Sequence, residues 1–196
     1  RMSAPLIRVL VVDDSPFMRG VLPPKIESDP RFKVVSTAVN GRDAIDKTLA
    51  LQPDVVTLDI DMPIMNGIDA LKEIVRQSTA SVIMLSARTE QGAAITLEAL
   101  TLGAIDFIPK SRGVERIHEK LLAAVEAKTQ KSRASTPRSV AAVRSTAPPR
   151  AAAGARVNAK ICVIGSSTGG PQALQAVLSQ LPETLTVPVV IAQHMP

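Results

Sequence analysis

The sequence predicts an α/β fold in which a doubly wound parallel sheet of five strands is followed by a linker and by the start of a second α/β domain. Five apolar runs alternate with five segments of helical periodicity over residues 6–128. These runs are apolar throughout instead of alternating with polar residues, which is typical of parallel strands covered on both faces. After residue 158 the strand-then-helix pattern starts again.

The strands and helices of the first domain follow from these patterns in order. The five expected strands are the apolar runs Ile7–Val12, Lys33–Ala38, Asp54–Leu58, Ser81–Leu85 and Ala104–Ile108. The five expected helices are Pro16–Ser28, Arg42–Leu51, Ile68–Gln77, Thr89–Leu102 and Val114–Ala127. Asp14 or Ser15 can cap the first helix. Pro23 and Pro24 each remove a helical hydrogen bond, so we expect a break or kink near Leu22.

Residues 129–158 have the composition of a linker, dominated by Ser, Thr, Ala, Pro and Arg. Residues 128–160 carry eight Lys or Arg and no acid. The whole chain has 23 Lys or Arg, so the remainder has 15, against 18 Asp or Glu. The net charge of +5 therefore comes from this one segment. It contains no aromatic residue to stack on a base and no nucleic-acid-binding motif, so we expect no nucleic-acid partner. We interpret it as a flexible basic linker, with a docking surface for an acidic partner as the alternative.

Residues 159–196 begin a second domain. A strand at Ile161–Ile164, a helix at Pro171–Leu181 and a strand at Val187–Ala192 are expected, and so few elements cannot bury a core alone. We therefore expect the truncated N-terminal part of a Rossmann-like domain. The one cysteine, Cys162, is expected in the core, and its lack of a disulfide partner favours a cytoplasmic location. No apolar run approaches the length that spans a bilayer, so we expect no membrane insertion.

Acidic residues close two of the predicted strands. Asp13 and Asp14 follow the first strand and Asp59 follows the third. In a sheet of order 2-1-3-4-5 these two strand ends are neighbours at the switch point, so the three carboxylates would share one crevice. Like charges in one crevice repel, and a hard dication with oxygen ligands such as Mg²⁺ relieves that repulsion. The alternative is that they are helix caps and solvated loop residues.

Two further residues suit a phosphoryl group in the same crevice. Lys110 follows the fifth strand and would supply a positive charge, and Ser86 follows the fourth and could donate a hydrogen bond. A carboxylate can itself attack phosphorus to give an aspartyl phosphate. Its position among a metal and a lysine makes Asp59 the candidate nucleophile.

The first domain resembles the response-regulator receiver family, whose fold is flavodoxin-like. The matching residues are Val11–Ser15, Asp59–Gly67, Ser86-Ala87, Gly103-Ala104, Phe107 and Pro109-Lys110. The resemblance implies that Asp59 accepts a phosphoryl group from a phosphohistidine on a sensor kinase. It also implies Mg²⁺ ligation by Asp14, Asp59 and the backbone carbonyl of Asp61, with Asp13 acting nearby.

The same resemblance assigns the switch that reports phosphorylation. It implies that Ser86 and Phe107 rearrange together after the phosphoryl group arrives, while Lys110 contacts that group. Such a switch is a local charge change that biases a two-state surface.

A serine lies in a second candidate site. Gly165–Gly169 fits G-x-S-x-G between a strand and a helix, which exposes Ser167 at a sharp turn near backbone N–H donors. His194 ends the next strand and could act as its base if the two strands are neighbours. The alternative is a glycine-rich turn that binds phosphate or only connects strand to helix. His118, among charged residues of the fifth helix, is expected to be a solvated surface residue.

The whole chain resembles the CheB family of chemotaxis protein-glutamate methylesterases, which combine a receiver, a linker and a hydrolase. Ile164–Pro171 and Gln193–Pro196 carry this resemblance. It implies that Ser167 is the nucleophile and His194 the base of a Ser-His-Asp hydrolase that needs no cofactor. Its implied substrates are glutamate methyl esters on methyl-accepting chemotaxis receptors, and receptor glutamines that it deamidates. A chemotaxis histidine kinase is the implied phosphoryl donor.

The resemblance also implies how the two domains are coupled. The unphosphorylated receiver would cover the catalytic cleft, and phosphorylation of Asp59 would free it. The family's third triad member, an aspartate, lies further along the chain than Pro196, so we expect these 196 residues to lack esterase activity. The alternative is a non-enzymatic response regulator whose second module binds a partner or a ligand.

Overall fold

Seven strands, six α-helices and one short 3-10 helix lie in the part of the chain that the computed structural model describes, residues 6–87, 92–110, 114–135, 160–166, 170–182 and 184–193. Strands β1 to β7 are Ile7–Val12, Phe32–Ala38, Val55–Asp59, Ser81–Ser86, Asp106–Pro109, Cys162–Ser166 and Val189–Gln193. Helices α1 to α6 are Pro16–Glu27, Gly41–Leu51, Gly67–Gln77, Gly92–Leu102, Ile117–Ser135 and Gly170–Leu178. None of these helices combines the length and the apolar character needed to cross a membrane.

The first five strands form one parallel sheet in the order β2-β1-β3-β4-β5. This confirms the predicted doubly wound, flavodoxin-like arrangement. In the register of β1 and β3, Val12 lies opposite Leu58, so the residues that follow these two strands are neighbours. The carboxyl ends of β1 and β3 therefore meet at the switch point, where open α/β sheets bind ligands.

Helices cover both faces of this sheet, which explains why the strands are apolar throughout. Along β1, Leu10 packs in the layer that includes residues of α2, α3 and α4, while its neighbour Val9 packs in the layer that includes residues of α1 and α5. Both side chains are fully buried. Successive strand residues point to opposite faces, so two covered faces require an apolar residue at every position.

The predicted break near Leu22 is wrong, because α1 is continuous from Pro16 to Glu27 with both prolines inside it, whereas the kink given as its alternative stays a prediction. Leu22 and Ile26 lie either side of the proline pair and are fully buried, so the segment after the prolines is held against the sheet. The carbonyl oxygen of Ile26 is also held, at 3.0 Å from Nε2 of His118. Tertiary packing therefore outweighs the local cost of the two prolines.

The prediction that His118 is a solvated surface residue is also wrong. Its side chain is half-buried, and its ring stacks on Phe32 with centroids 5.6 Å apart. Helix α5 itself runs from Ile117 to Ser135, which extends beyond the predicted helix end into residues interpreted as linker. Residues 136–159 lie outside the described residues.

The second sheet contains β6 and β7, which pair in parallel with Ser166 opposite Gln193. Cys162, at the start of β6, is exposed, so its predicted place in the core is wrong. The physical reason is that apolar residues of both strands are exposed in the described part of the chain, among them Val163 and Val190. A two-stranded sheet with one short helix does not enclose its first strand.

Candidate phosphoryl site

Three carboxylates meet at the carboxyl ends of β1 and β3. Asp13 follows β1 and is fully buried, Asp59 ends β3 with 3% of its surface exposed, and Asp14 is exposed. One oxygen from each of the three carboxylates lies within 4.8 Å of the others. The structure therefore brings together the three acids that the strand ends predict.

Lys110 lies between the two buried acids. Its Nζ is 2.7 Å from Oδ2 of Asp13 and 2.9 Å from Oδ2 of Asp59. It follows β5 at the edge of the sheet, and its backbone N–H donates to the Ser86 carbonyl oxygen at 2.7 Å. This bond fixes the lysine to the end of β4, from which its side chain crosses to β3 and β1.

The surroundings shift the pKa values of both Asp59 and Lys110. Burial raises the pKa of Asp59 from 3.8 to about 6, and repulsion from Asp13 adds to this, although Lys110 and the Ile60 N–H oppose it. Burial alone would lower the pKa of Lys110, but its contacts with Asp13 and Asp59 outweigh burial and raise that pKa. Lys110 therefore faces the two carboxylates as an ammonium whose protonated form these contacts stabilise.

This donor set fits a hard dication. Carboxylate oxygens are the ligands that Mg²⁺ prefers, and the exposed side of the cluster at Asp14 leaves room for water and phosphate oxygens. The cluster contains the carboxylates of Asp13, Asp14 and Asp59. The role predicted for Asp61 concerns its backbone carbonyl, which stays a prediction; the residue itself is exposed.

The loop from β3 to α3, which carries Asp61, is fixed by close backbone contacts. A Cβ at Gly67 would overlap the carbonyl oxygen of Asp59, so only glycine fits where the loop returns to the strand end. The Gly67 N–H donates to the Ile60 carbonyl at 2.8 Å. Ile64, 87% exposed, adopts a φ of 69°, a left-handed conformation that is unusual for a β-branched residue. Such strain is concentrated at functional sites.

The two residues predicted to form the switch are both buried. Ser86 ends β4 with 4% of its surface exposed, and Phe107 in β5 has 5% exposed. Phe107 packs in the layer that includes residues of α2, α3 and α4, opposite Met84 in the strand register. Their coupled movement after phosphorylation stays a prediction.

The predicted hydrolase residues Ser167 and His194 lie outside the described residues. The residues that precede them, Ser166 and Gln193, are register partners in the parallel pair of β6 and β7. A Cβ at Gly170 would overlap the Ser166 hydroxyl and lie 2.6 Å from Oε1 of Gln193. The described residues thus have the strand and helix context that a G-x-S-x-G loop requires, with tight packing where the helix begins.

Sequence reasoning missed Arg19, which contacts the loop that carries the acidic pair. Its Nη1 donates to the carbonyl oxygens of Asp13, at 2.9 Å, and Asp14, at 2.7 Å. A base five residues after the second acid, on the helix that the acids precede, is the signal that could have found it. It also missed the ion pair between Asp106 and Lys120, whose charged atoms are 2.8 Å apart.

Comparison with known families agrees with this geometry. Residues 9–122 match the family described as response regulator receiver domain, and residues 162–196 match the family described as CheB methylesterase. The first match spans more than half of the chain, which therefore belongs to the response-regulator receiver family. The second match shows that residues 162–196 are similar to the CheB methylesterase family.

Curated relatives are similar to this chain over almost all of its length. The chain is 44% identical to the protein-glutamate methylesterase/protein-glutamine glutaminase of Thermotoga maritima, over 100% of this chain and 57% of that protein. It is 41% identical to the protein of the same name from Bacillus subtilis, over 97% of this chain and 57% of that protein. The chain thus spans a little over half the length of these relatives.

Solved structures resemble the first domain. The response regulator domain of Thermotoga maritima CheB matches with a TM-score of 0.53 and 50% identity, covering 64% of this chain and 95% of that one. The signal receiver domain of NarL from Mycobacterium tuberculosis matches with a TM-score of 0.59 and 29% identity, covering 63% of this chain and 98% of that one.

Proposed function

We propose that the chain is the phosphorylation-controlled portion of a chemotaxis protein-glutamate methylesterase, with Asp59 as the phosphorylation site. The observation that carries the proposal is the Lys110 ammonium between Asp13 and Asp59, beside the exposed acid Asp14. A lysine and three carboxylates at one switch point suit a dication and a phosphoryl group better than any purely structural role.

The reaction begins at a carboxylate oxygen of Asp59. This oxygen attacks the phosphorus of a phosphohistidine on a chemotaxis histidine kinase. The new P–O bond gives an aspartyl phosphate, while the P–N bond breaks and its electron pair returns to the imidazole. Lys110, held protonated by its acidic neighbours, donates N–H bonds to the incoming phosphoryl oxygens.

Asp14, Asp59 and the backbone carbonyl of Asp61 would hold Mg²⁺, with Asp13 nearby. The metal supplies charge neutralisation and orientation of the phosphoryl oxygens. Ser86 donates its hydroxyl to the phosphoryl group, and Phe107 moves with it. Because both side chains are almost fully buried, their movement would change the packing around β4 and β5.

The output is ester hydrolysis by the longer protein. Ser167 attacks the methyl-ester carbonyl of a receptor glutamate, His194 takes the serine proton and returns it to the leaving methanol, and water then frees the enzyme. Deamidation of receptor glutamines follows the same path with ammonia leaving. Helix α4 of the first domain contacts helix α6 of the second, which supports a receiver that restrains the hydrolase until it is phosphorylated. A cytoplasmic location is part of this proposal.

The phosphorylation site is tested on the 196-residue chain with Mg²⁺ and a small phosphodonor such as acetyl phosphate. The wild type should gain one phosphoryl group by intact mass, and Asp59→Asn should gain none. Asp46→Asn, an exposed acid on α2, is the matched control and should behave as the wild type. Equal phosphorylation of the Asp59→Asn variant would refute the assignment.

The output is tested separately, on the longer protein with methylated receptor. Ser167→Ala should abolish methanol release, whereas Asp59→Asn should keep basal release and lose its stimulation by the phosphodonor. We expect no release by the 196-residue chain, because the apolar residues of β6 and β7 are exposed. Methanol release by the Ser167→Ala variant would favour a non-enzymatic second module together with a contaminating esterase.

A further inference from the structure

Arg19 is attached to the backbone of the acidic loop and not to its carboxylates. One guanidinium nitrogen, Nη1, lies 2.9 Å from the carbonyl oxygen of Asp13 and 2.7 Å from that of Asp14. Arg19 lies on α1, and its own N–H donates to the Ser15 carbonyl oxygen at 3.1 Å. The side chain therefore ties two consecutive carbonyls of the loop to the helix that follows it.

The hydrogen bonds from Arg19 matter most for Asp14, because Asp13 has other contacts that fix its position. The Asp13 carboxylate is buried, accepts from the Ser15 N–H at 3.0 Å, and pairs with Lys110. Asp14 is exposed, and among the described residues no hydrogen bond to its carboxylate is present. Its direction is therefore set by its backbone, and that backbone is held by Arg19.

Two consecutive carbonyl dipoles that point at one donor repel each other, and a shared cation offsets this repulsion. Without the guanidinium, the carbonyls are free to turn apart, and the Asp14 carboxylate turns with its peptide. A carboxylate that is not held near the other two is less often placed where it can bind the same metal ion as they do. In metal sites, groups that orient the ligands are worth 10- to 100-fold in affinity.

We propose that Arg19 is a positioning residue, which orients Asp14 for Mg²⁺ by holding the carbonyls of the acidic pair. The inference rests on the metal site of the proposed function and assigns a new residue to it. It runs against simple electrostatics, because a cation near a metal site should weaken metal binding. Removing Arg19 should therefore weaken Mg²⁺ binding if the residue positions Asp14, and strengthen it if the residue only repels the metal.

The test measures Mg²⁺ affinity of the 196-residue chain by isothermal titration calorimetry. Arg19→Met keeps the aliphatic stem and removes the charge and the donors, and we expect it to bind Mg²⁺ about tenfold more weakly. Arg19→Lys keeps the positive charge but has a shorter side chain with a single donor nitrogen. Its Mg²⁺ affinity should lie between those of the wild type and Arg19→Met. The matched control is Arg76→Met, which removes an exposed helical arginine paired with Glu73 and should bind as the wild type.

A second readout separates metal positioning from general damage. The rate of phosphorylation by acetyl phosphate should fall in Arg19→Met at low Mg²⁺ and return to within about twofold of the wild type at saturating Mg²⁺, because orientation for Mg²⁺ is all that is lost. If Arg19→Met does not fold, Arg19→Lys decides: binding several-fold weaker supports the proposal, and unchanged binding contradicts it.

Other outcomes are equally decisive. A folded Arg19→Met variant that binds Mg²⁺ as tightly as the wild type, or more tightly, overturns the proposal, as does a rate deficit that saturating Mg²⁺ leaves in place. Absence of Mg²⁺ binding by the wild type refutes the proposed metal site itself.

Discussion

The two sheets of this chain are built from similar strands but differ in what covers them. In the first sheet, helices cover both faces, and the strand residues Leu10, Leu58 and Ile83 are fully buried. In the second sheet, Val163 and Ile191 are 65% and 39% exposed. An apolar strand therefore does not by itself make a low-dielectric site; the layers that cover it do. The first sheet can raise the pKa of a strand-end carboxylate because its core is closed.

Matched truncations in the two sheets should differ most in their cost to stability. Ile83→Ala removes a fully buried side chain from β4 and should lower the free energy of unfolding by about 4 kcal/mol. Ile191→Ala removes the same atoms from partly exposed β7 and should cost less than about 1 kcal/mol. Urea unfolding followed by circular dichroism measures both. Similar losses in the two variants would contradict the comparison.

A partly buried ion pair gives the next largest effect. The Lys120 ammonium of α5 is 2.8 Å from the Asp106 carboxylate of β5, with side chains 18% and 10% exposed. Lys120→Met removes one partner of this pair from its partly buried position, which should cost about 3 kcal/mol of unfolding free energy. Lys72→Met, which breaks the exposed pair with Asp69, should cost at most about 1 kcal/mol. A small loss in Lys120→Met would show that water reaches Asp106.

The ion pair between Lys120 and Asp106 also touches the predicted switch. Asp106 Oδ1 accepts from the backbone N–H of Phe107 at 2.7 Å, so the pair links α5 to the backbone of a predicted switch residue. A loss of stability in Lys120→Met should therefore be accompanied by altered backbone amide shifts at Phe107. Unchanged amide shifts at Phe107 would mean that the ion pair stabilises α5 without affecting the predicted switch residue.

The third effect concerns the strand-end carboxylate. The pKa of Asp59 is about 6 in the folded chain against 3.8 ordinarily. Between these values the unfolded chain ionises while the folded chain keeps its proton, so this residue lowers stability as pH rises. By linkage the penalty is absent below about pH 4 and reaches about 3 kcal/mol above about pH 6.

Asp59→Asn removes that penalty. Without Mg²⁺, its free energy of unfolding relative to the wild type should therefore rise by about 3 kcal/mol from pH 4 to pH 7. Added Mg²⁺ should narrow the gap by stabilising only the wild type. Asp46→Asn, which removes an exposed acid on α2, is the control for the loss of a carboxylate elsewhere in the chain. A constant difference between Asp59→Asn and the wild type would mean that burial does not shift Asp59.

The strand order and the acidic site were predictable because both depend on local patterns. Continuous apolar runs indicate buried parallel strands, and residues that close neighbouring strands of such a sheet must meet. This reasoning found Asp13, Asp14, Asp59 and Lys110. It could not find contacts that lie away from the strand ends, such as the hydrogen bond between the His118 ring and the Ile26 carbonyl, which are 92 residues apart. Ser167 and His194 stay predictions.

The error at Pro23 and Pro24 has the same origin. A local rule assigns the prolines a cost, and it holds for an isolated helix. In the folded chain, Leu22 and Ile26 are buried against the sheet, and their packing sets the path of α1. Cys162 is the opposite case, because its apolar strand predicts burial but the residue is exposed. In the described part of the chain, no layer covers that strand at Cys162.

The smallest predicted effect tests the contact that helps to hold the end of α1. His118 stacks on Phe32 and its Nε2 lies 3.0 Å from the Ile26 carbonyl, near the end of the helix that contains the prolines. His118→Ala should lower the free energy of unfolding by about 1 to 2 kcal/mol, from one hydrogen bond and one ring contact. His118→Phe keeps the ring and should recover part of the loss. If both variants are as stable as the wild type, packing of Leu22 and Ile26 alone keeps α1 continuous.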